Sequence, residues 1–103
     1  MRYLTIASEY TGSCIKDDNL GQIDCLELVH DRGLCKELDE WSFDYRAIIP
    51  LDIKERDQCR DEINALDERG ILLAKKLVRA VQGRAKVKYY SEGKLEYLDL
   101  GIY

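Results

Sequence analysis

Twenty carboxylates, four cysteines and a single histidine are the residues of this 103-residue chain that carry chemistry beyond packing. Cysteines at zinc-site spacing would hold a metal, a cysteine beside a histidine would make a nucleophile, and paired carboxylates would move protons. Cys14, Cys25, Cys35 and Cys59 form no C-x-x-C pair. Short paired spacing is what sets two corners of a zinc tetrahedron, so no metal site is expected. His30 stands alone and cannot belong to a multi-histidine site. In a reducing compartment the four thiols read most simply as small buried hydrophobes.

The chain has no glycine-rich phosphate loop, no G-x-S-x-G, no H-E-x-x-H and no second histidine. Its carboxylates show no spacing that singles out an acid–base pair. The expectation is therefore a protein that is not an enzyme and needs no cofactor.

Binding is the remaining function, and charge suggests where. Residues 1–69 carry 17 acidic and 9 basic side chains, whereas residues 70–103 carry 3 and 7. The acids gather on the polar faces of two predicted helices, with Asp39 and Glu40 on the first and Asp57, Asp61 and Glu62 on the second. Asp67 and Glu68 continue that second polar face, and Asp17 and Asp18 add a loop pair. Such faces solubilise a protein, and they also attract and orient a basic partner. Asp39, Glu40, Asp57, Asp61 and Glu62 are the candidate partner-binding residues. In the C-terminal third, Lys86 and Lys88 interleave with Tyr89 and Tyr90, a pattern that also suits single-stranded RNA. The overall acidic balance argues against that alternative.

The elements that position these residues follow from periodicity. Tyr3 to Ser8 alternates with a period of two, placing Leu4 and Ile6 on one strand face. Cys14-Ile15-Lys16 reads as a short strand, and Gln22 to Val29 suits either period, a strand buried on both sides fitting slightly better than a helix. Leu34, Leu38, Trp41, Tyr45 and Ile48 form one helical stripe, capped by Asp31 and stopped by Pro50. Asp52-Ile53-Lys54-Glu55 is a capping box opening a second helix. Its stripe runs Cys59, Ile63, Leu66, Gly70, Leu73, Leu77 and Val81, and Gly83 ends it. Gly70 sits on that stripe, which predicts the close approach of another backbone. Ala85–Tyr90 and Lys94–Leu100 then make a hairpin. A two-residue Glu92-Gly93 turn would set Val87 opposite Leu98, with Ala85, Val87, Tyr89, Leu98 and Leu100 buried. Strands, two helices and a hairpin predict one α+β domain over residues 1–103, an antiparallel or mixed sheet with two helices packed on one face. No apolar run is long enough to span a membrane. The Met1–Glu9 stretch lacks the features of a secretory signal, so a cytoplasmic location is expected.

Trp41, Tyr45, Ile48 and Ile49, the run Leu66-Asp67-Glu68-Arg69-Gly70-Ile71-Leu72-Leu73-Ala74-Lys75-Lys76-Leu77, and Lys86-Val87-Lys88-Tyr89-Tyr90 resemble small bacterial proteins encoded beside polymorphic toxins. These include the immunity proteins of contact-dependent growth inhibition systems. The resemblance covers about the last two-thirds of the chain. It implies a protein that binds and neutralises a cognate toxin domain one-to-one; the chain itself is expected to be a monomer or a weak homodimer. Many such toxins are nucleases with basic clefts, which carboxylates can occupy in place of phosphates. These families share no common binding residues, so no role carries over to a particular position. A phage or host inhibitor of the anti-CRISPR or antitoxin kind fits the same features, as does a homodimer formed through the hairpin edge.

Overall fold

The computed structural model describes residues 2–101. Strands β1 (Arg2–Ile6), β2 (Ile15–Asp17) and β3 (Gly21–Gln22) are followed by four helices: α1 (Cys25–Leu28), α2 (Arg32–Tyr45), α3 (Ile53–Gln58) and α4 (Arg60–Ala80). Strands β4 (Ala85–Ser91) and β5 (Glu96–Leu98) close the chain. The sheet order is β3-β2-β1-β4-β5, with β1 and β4 parallel and every other pair antiparallel. The fold is α+β with a mixed sheet. The long helices α2 and α4 lie against the face from which Leu4, Ile6, Ile15 and Tyr89 project, all of them fully buried.

Helix α2 forms where its stripe predicts. Asp31 Oδ1 accepts the Leu34 amide at 3.0 Å, and Leu34, Leu38, Trp41 and Tyr45 are buried. It ends at Tyr45, earlier than the proline requires. Residues 46–51 tighten into successive turns in which Ile48 N donates to Tyr45 O and Leu51 N to Ile48 O. Ile48 thus stays buried although it lies outside the helix. The capping box at Asp52 and Glu55 is present in both directions, at 2.8 and 3.2 Å. The predicted second helix is two, because Cys59, at φ −116° and ψ 33°, leaves the helical region between α3 and α4. The stripe on α4 is otherwise as spaced, with Ile63, Gly70, Leu73, Leu77 and the following Val81 buried.

Four expectations are corrected. Of Gln22 to Val29 only Gln22 lies in a strand, at the end of β3: Asp24 Oδ1 accepts the Leu26 amide and starts the short helix α1, which leaves Leu26 exposed. The cysteines are not all free, because α1 laid against the start of α2 brings Cys25 and Cys35 into a disulfide with Cα atoms 5.6 Å apart. Only Cys14 and Cys59 are thiols. Gly70 is approached by side chains rather than backbone: a Cβ there would lie 2.5 Å from Tyr89 Cε1 and 2.7 Å from Trp41 Cζ2. The hairpin pairs Tyr89 with Leu98, Tyr90 with Tyr97 and Ser91 with Glu96, leaving a loop over residues 92–95. That register differs from the expected one by two positions, so every side chain keeps its face. Tyr89 and Leu100 are accordingly buried, and Ala85, Val87 and Leu98 are half-buried. Among the described residues no helix is long and apolar enough to cross a membrane.

Candidate partner-binding surfaces

The five candidate carboxylates are all exposed, and the fold distributes them over separate surfaces. Helices α2 and α4 run antiparallel, tied by Glu37–Lys76 at 3.3 Å, Asp44–Arg69 at 2.7 Å and Tyr45–Asp67 at 2.9 Å. Asp39 is therefore level with the middle of α4, about three helical turns from Asp61 and Glu62 at its start. Asp39 lines a notch of about 450 Å³ with Gly12, Ser13, Gln22, Ile23, Asp24 and Cys25. Glu40, on the same helix, lies 3.9 Å from Lys36. Asp57 is bound to Arg60 at 2.8 Å and borders a second notch with Arg56, Ile63, Gly93 and Lys94. Asp61 and Glu62 occupy the first turn of α4, where the helix dipole favours negative charge. Asp57, Asp61 and Glu62 form one group; Asp39 and Glu40 form another.

A different carboxylate organises the molecule. Asp67, placed by its sequence neighbours on the solvent face, is 2% exposed. Its Oδ1 accepts the hydroxyls of Tyr45 at 2.9 Å and Tyr89 at 2.7 Å, and its Oδ2 accepts Ser91 Oγ at 2.8 Å. Lys94 Nζ lies 3.5 Å from the same Oδ2. Burial, and then the adjoining carboxylate, push the Tyr89 hydroxyl far above its ordinary pKa; burial does the same to Tyr45. Both phenols therefore remain donors at physiological pH, and Asp67 is saturated as an acceptor.

All three hydroxyl protons of this cluster are committed to Asp67. What it does is hold the loop at residues 92–95. Gly93 N donates to Tyr45 Oη at 2.9 Å and Lys94 N to Ser91 Oγ at 3.0 Å. Leu95 N donates to Ser91 O at 2.8 Å, and Leu95 itself takes φ +57°, which a leucine rarely adopts. A Cβ on Gly93 would meet Ile63 Cγ2 at 2.5 Å and Tyr45 Oη at 2.9 Å, so glycine is needed for this approach. The one clue in the sequence was position: Asp67 follows Leu66 by one residue and precedes Gly70 by three, inside the arc that α4 buries.

The face of the sheet opposite the helices carries no helix among the described residues. Tyr3, Tyr97, Lys16, Lys86 and Lys88 are exposed there, with Tyr90 half-buried. Tyr90 and Tyr97 meet edge-on with centroids 5.0 Å apart. Lys88 Nζ sits 5.2 Å over the Tyr97 ring and 3.6 Å from Asp18. Tyr89 is fully buried in the core, as the hairpin pattern predicts, and so is not available to the RNA alternative for base stacking. The carboxylates of Glu9, Asp18 and Glu92 share this face, an arrangement that repels phosphates.

No group of histidine, cysteine, aspartate or glutamate side chains among the described residues is arranged to hold a metal ion. No protein-family model matches the chain, and a search of curated proteins finds no relative.

Proposed function

We propose that this protein is an immunity protein, an inhibitor that binds a cognate basic toxin domain and blocks its active surface. The observation that carries the reading is the exposed acidic run from Asp52 to Glu62. Asp52, Glu55, Asp57, Asp61 and Glu62 all reach solvent there. Of the three interspersed cations, Arg56 donates to the Ile49 carbonyl and Arg60 to Asp57, leaving Lys54 as the third. Negative charge concentrated on one end of a rigid helical layer speeds the capture of a positively charged cleft and orients the encounter. Where that cleft belongs to a nuclease, carboxylates stand in for the substrate's phosphates. The function is then occlusion, with no bond made or broken by the inhibitor.

The test is to purify the chain together with the toxin domain of the protein encoded immediately upstream and measure affinity at low and high salt. The double variant Asp61→Lys/Glu62→Lys is expected to bind at least tenfold more weakly at low salt, with a flatter salt dependence. Affinity unchanged within twofold would sink the charged-patch mechanism.

A further inference from the structure

On the open side of the sheet, Thr5 and Ala7 form the floor of a trough of about 330 Å³. Lys16 and Asp18 stand on its β2 side, Tyr90 and Tyr97 on its hairpin side. Glu9 and Glu92 line it as well, where the chain runs on past Ala7 and Tyr90. We propose that this trough receives an arginine or lysine side chain projecting from a basic protein partner, the tyrosines flanking its stem and Glu9 and Glu92 taking its charge. The inference rests on the reading of a basic protein partner and adds a second contact surface, on the sheet face opposite α2 and α4, whose Glu92 end lies near Arg56 of α3.

Charge complementarity selects the occupant. Three carboxylates and the Lys16 ammonium line the trough, and the Lys88 ammonium reaches in beside them over the Tyr97 ring. Asp18 is engaged by Lys88 and by the Thr5 hydroxyl. Among the described residues neither Glu9 nor Glu92 is in an ion pair, so both remain to meet an incoming cation. Burial, and next the nearby Glu9, push the Glu92 carboxyl above the ordinary glutamate range, with Arg56 partly offsetting them. An arriving guanidinium would relieve that repulsion. It can also bridge two carboxylates through its planar fork while stacking on a tyrosine, which an ammonium does less well.

Preorganisation is the second argument. Burying Asp67 is costly, and an apolar core would serve stability as well or better. The network instead fixes the loop that carries Glu92, through Gly93, Lys94 and Leu95. A loop already ordered loses little freedom when a partner docks on it.

An NMR titration of the intact 15N-labelled protein with N-acetylargininamide tests this directly, with N-acetylcitrullinamide as the neutral isostere. Saturable shifts are expected at amides of residues 5–9 and 90–97, with none from the citrulline compound. Glu92→Gln, verified as folded by its own spectrum, should weaken arginine binding at least fivefold. Shifts centred on Asp61 and Glu62, equal shifts from citrulline, or the same residues responding to a single-stranded oligouridylate would each overturn the proposal. A toxin domain that loses affinity with Asp61→Lys/Glu62→Lys, yet binds Glu9→Gln/Glu92→Gln as tightly as the parent, would refute the trough and leave the immunity reading standing. Argininamide seated in the trough, with no basic protein bound by the chain, would do the reverse.

Discussion

Tyr89 donates its hydroxyl to Asp67 at 2.7 Å, the shortest link in a cluster that joins α2, α4, β4 and the hairpin loop. The two residues are 22 positions apart, on elements whose apolar patterns alone would pack them together in several orientations. A hydroxyl that must reach a buried carboxylate admits few of those orientations. The ring bearing that hydroxyl also packs over Gly70, and its centroid lies 5.8 Å from that of Trp41. Specific polar geometry thereby sets how the helical layer sits on the sheet.

Removing the acceptor should therefore be severe. Asp67→Ala strands three hydroxyls and leaves Lys94 without its partner, and we expect a loss of about 3–5 kcal/mol in urea denaturation. Tyr89→Phe removes one donor and leaves the others in place, so it should cost less, about 1.5–3 kcal/mol. The double variant should lose less than the sum of the two, because both changes act on one network. Strict additivity would mean that the cluster does not work as a unit.

Gly70→Ala sets two effects against each other. Alanine is preferred over glycine inside a helix by about 1 kcal/mol. The added methyl would stand 2.5 Å from Tyr89 Cε1 and 2.7 Å from Trp41 Cζ2, both on fully buried rings. Overpacking of this kind costs about 1–3 kcal/mol and sometimes more. The rings are locked, Tyr89 by Asp67 and Trp41 by its Nε1 bond to Leu66 O at 2.8 Å, so we expect the clash to win. A higher melting temperature for the variant would show that the rings can move aside.

Much of this fold was legible in the sequence because the helical stripes, the Asp31 cap and the capping box at Asp52 are local signals. The α+β class and the hairpin followed from them. The residue type of Asp67 suggests solvent, whereas the neighbours that bury it lie across the chain on β4 and α2. Residues 22–29 are ambiguous for a similar reason: their apolar residues suit either period, and the Asp24 cap with the Cys25–Cys35 bond decides for a helix at Cys25–Leu28. The hairpin register turned on Ser91, whose hydroxyl and carbonyl hold Lys94 and Leu95 in a longer loop than glycine position alone suggests. The grouping of the acidic candidates into two patches depended on α2 running antiparallel to α4, which no single segment encodes.

The disulfide offers a clean measurement. Cys25 and Cys35 are 10 positions apart, and closing a loop of that size stabilises a domain by about 2–3 kcal/mol on the chain-entropy account. Helix α1 has only four residues and cannot persist unaided, so reduction should free it while the sheet survives. We expect the denaturation midpoint to fall with reductant, and Cys25→Ser/Cys35→Ser to abolish that response. Alkylation of the native oxidised protein near pH 8 should modify Cys59, which is half-buried, and spare Cys14. Burial, with Asp39 adding to it, pushes the Cys14 thiol up to about 12. Rapid labelling of Cys14 would contradict its packing beneath Leu38.

Glu92 should show opposite effects on stability and binding. Its carboxyl is raised above the usual glutamate value, chiefly by burial and then by Glu9. The folded protein thus holds that proton more tightly than the unfolded chain does. The resulting stability is fully present below the unfolded value of about 4.3 and is lost as pH rises through the folded value. Glu92→Gln removes this titration, so the variant should be more stable than the parent at pH 7. The two should converge as the pH falls below about 4.3, where the parent's side chain is neutral. Chemical denaturation at several pH values measures the gap, and affinity for argininamide measures the other side of the exchange. A charge that destabilises the free protein and strengthens its complex is the signature of a residue kept for binding. A variant less stable at pH 7, or one whose gap does not change with pH, would show that Glu92 serves the fold instead.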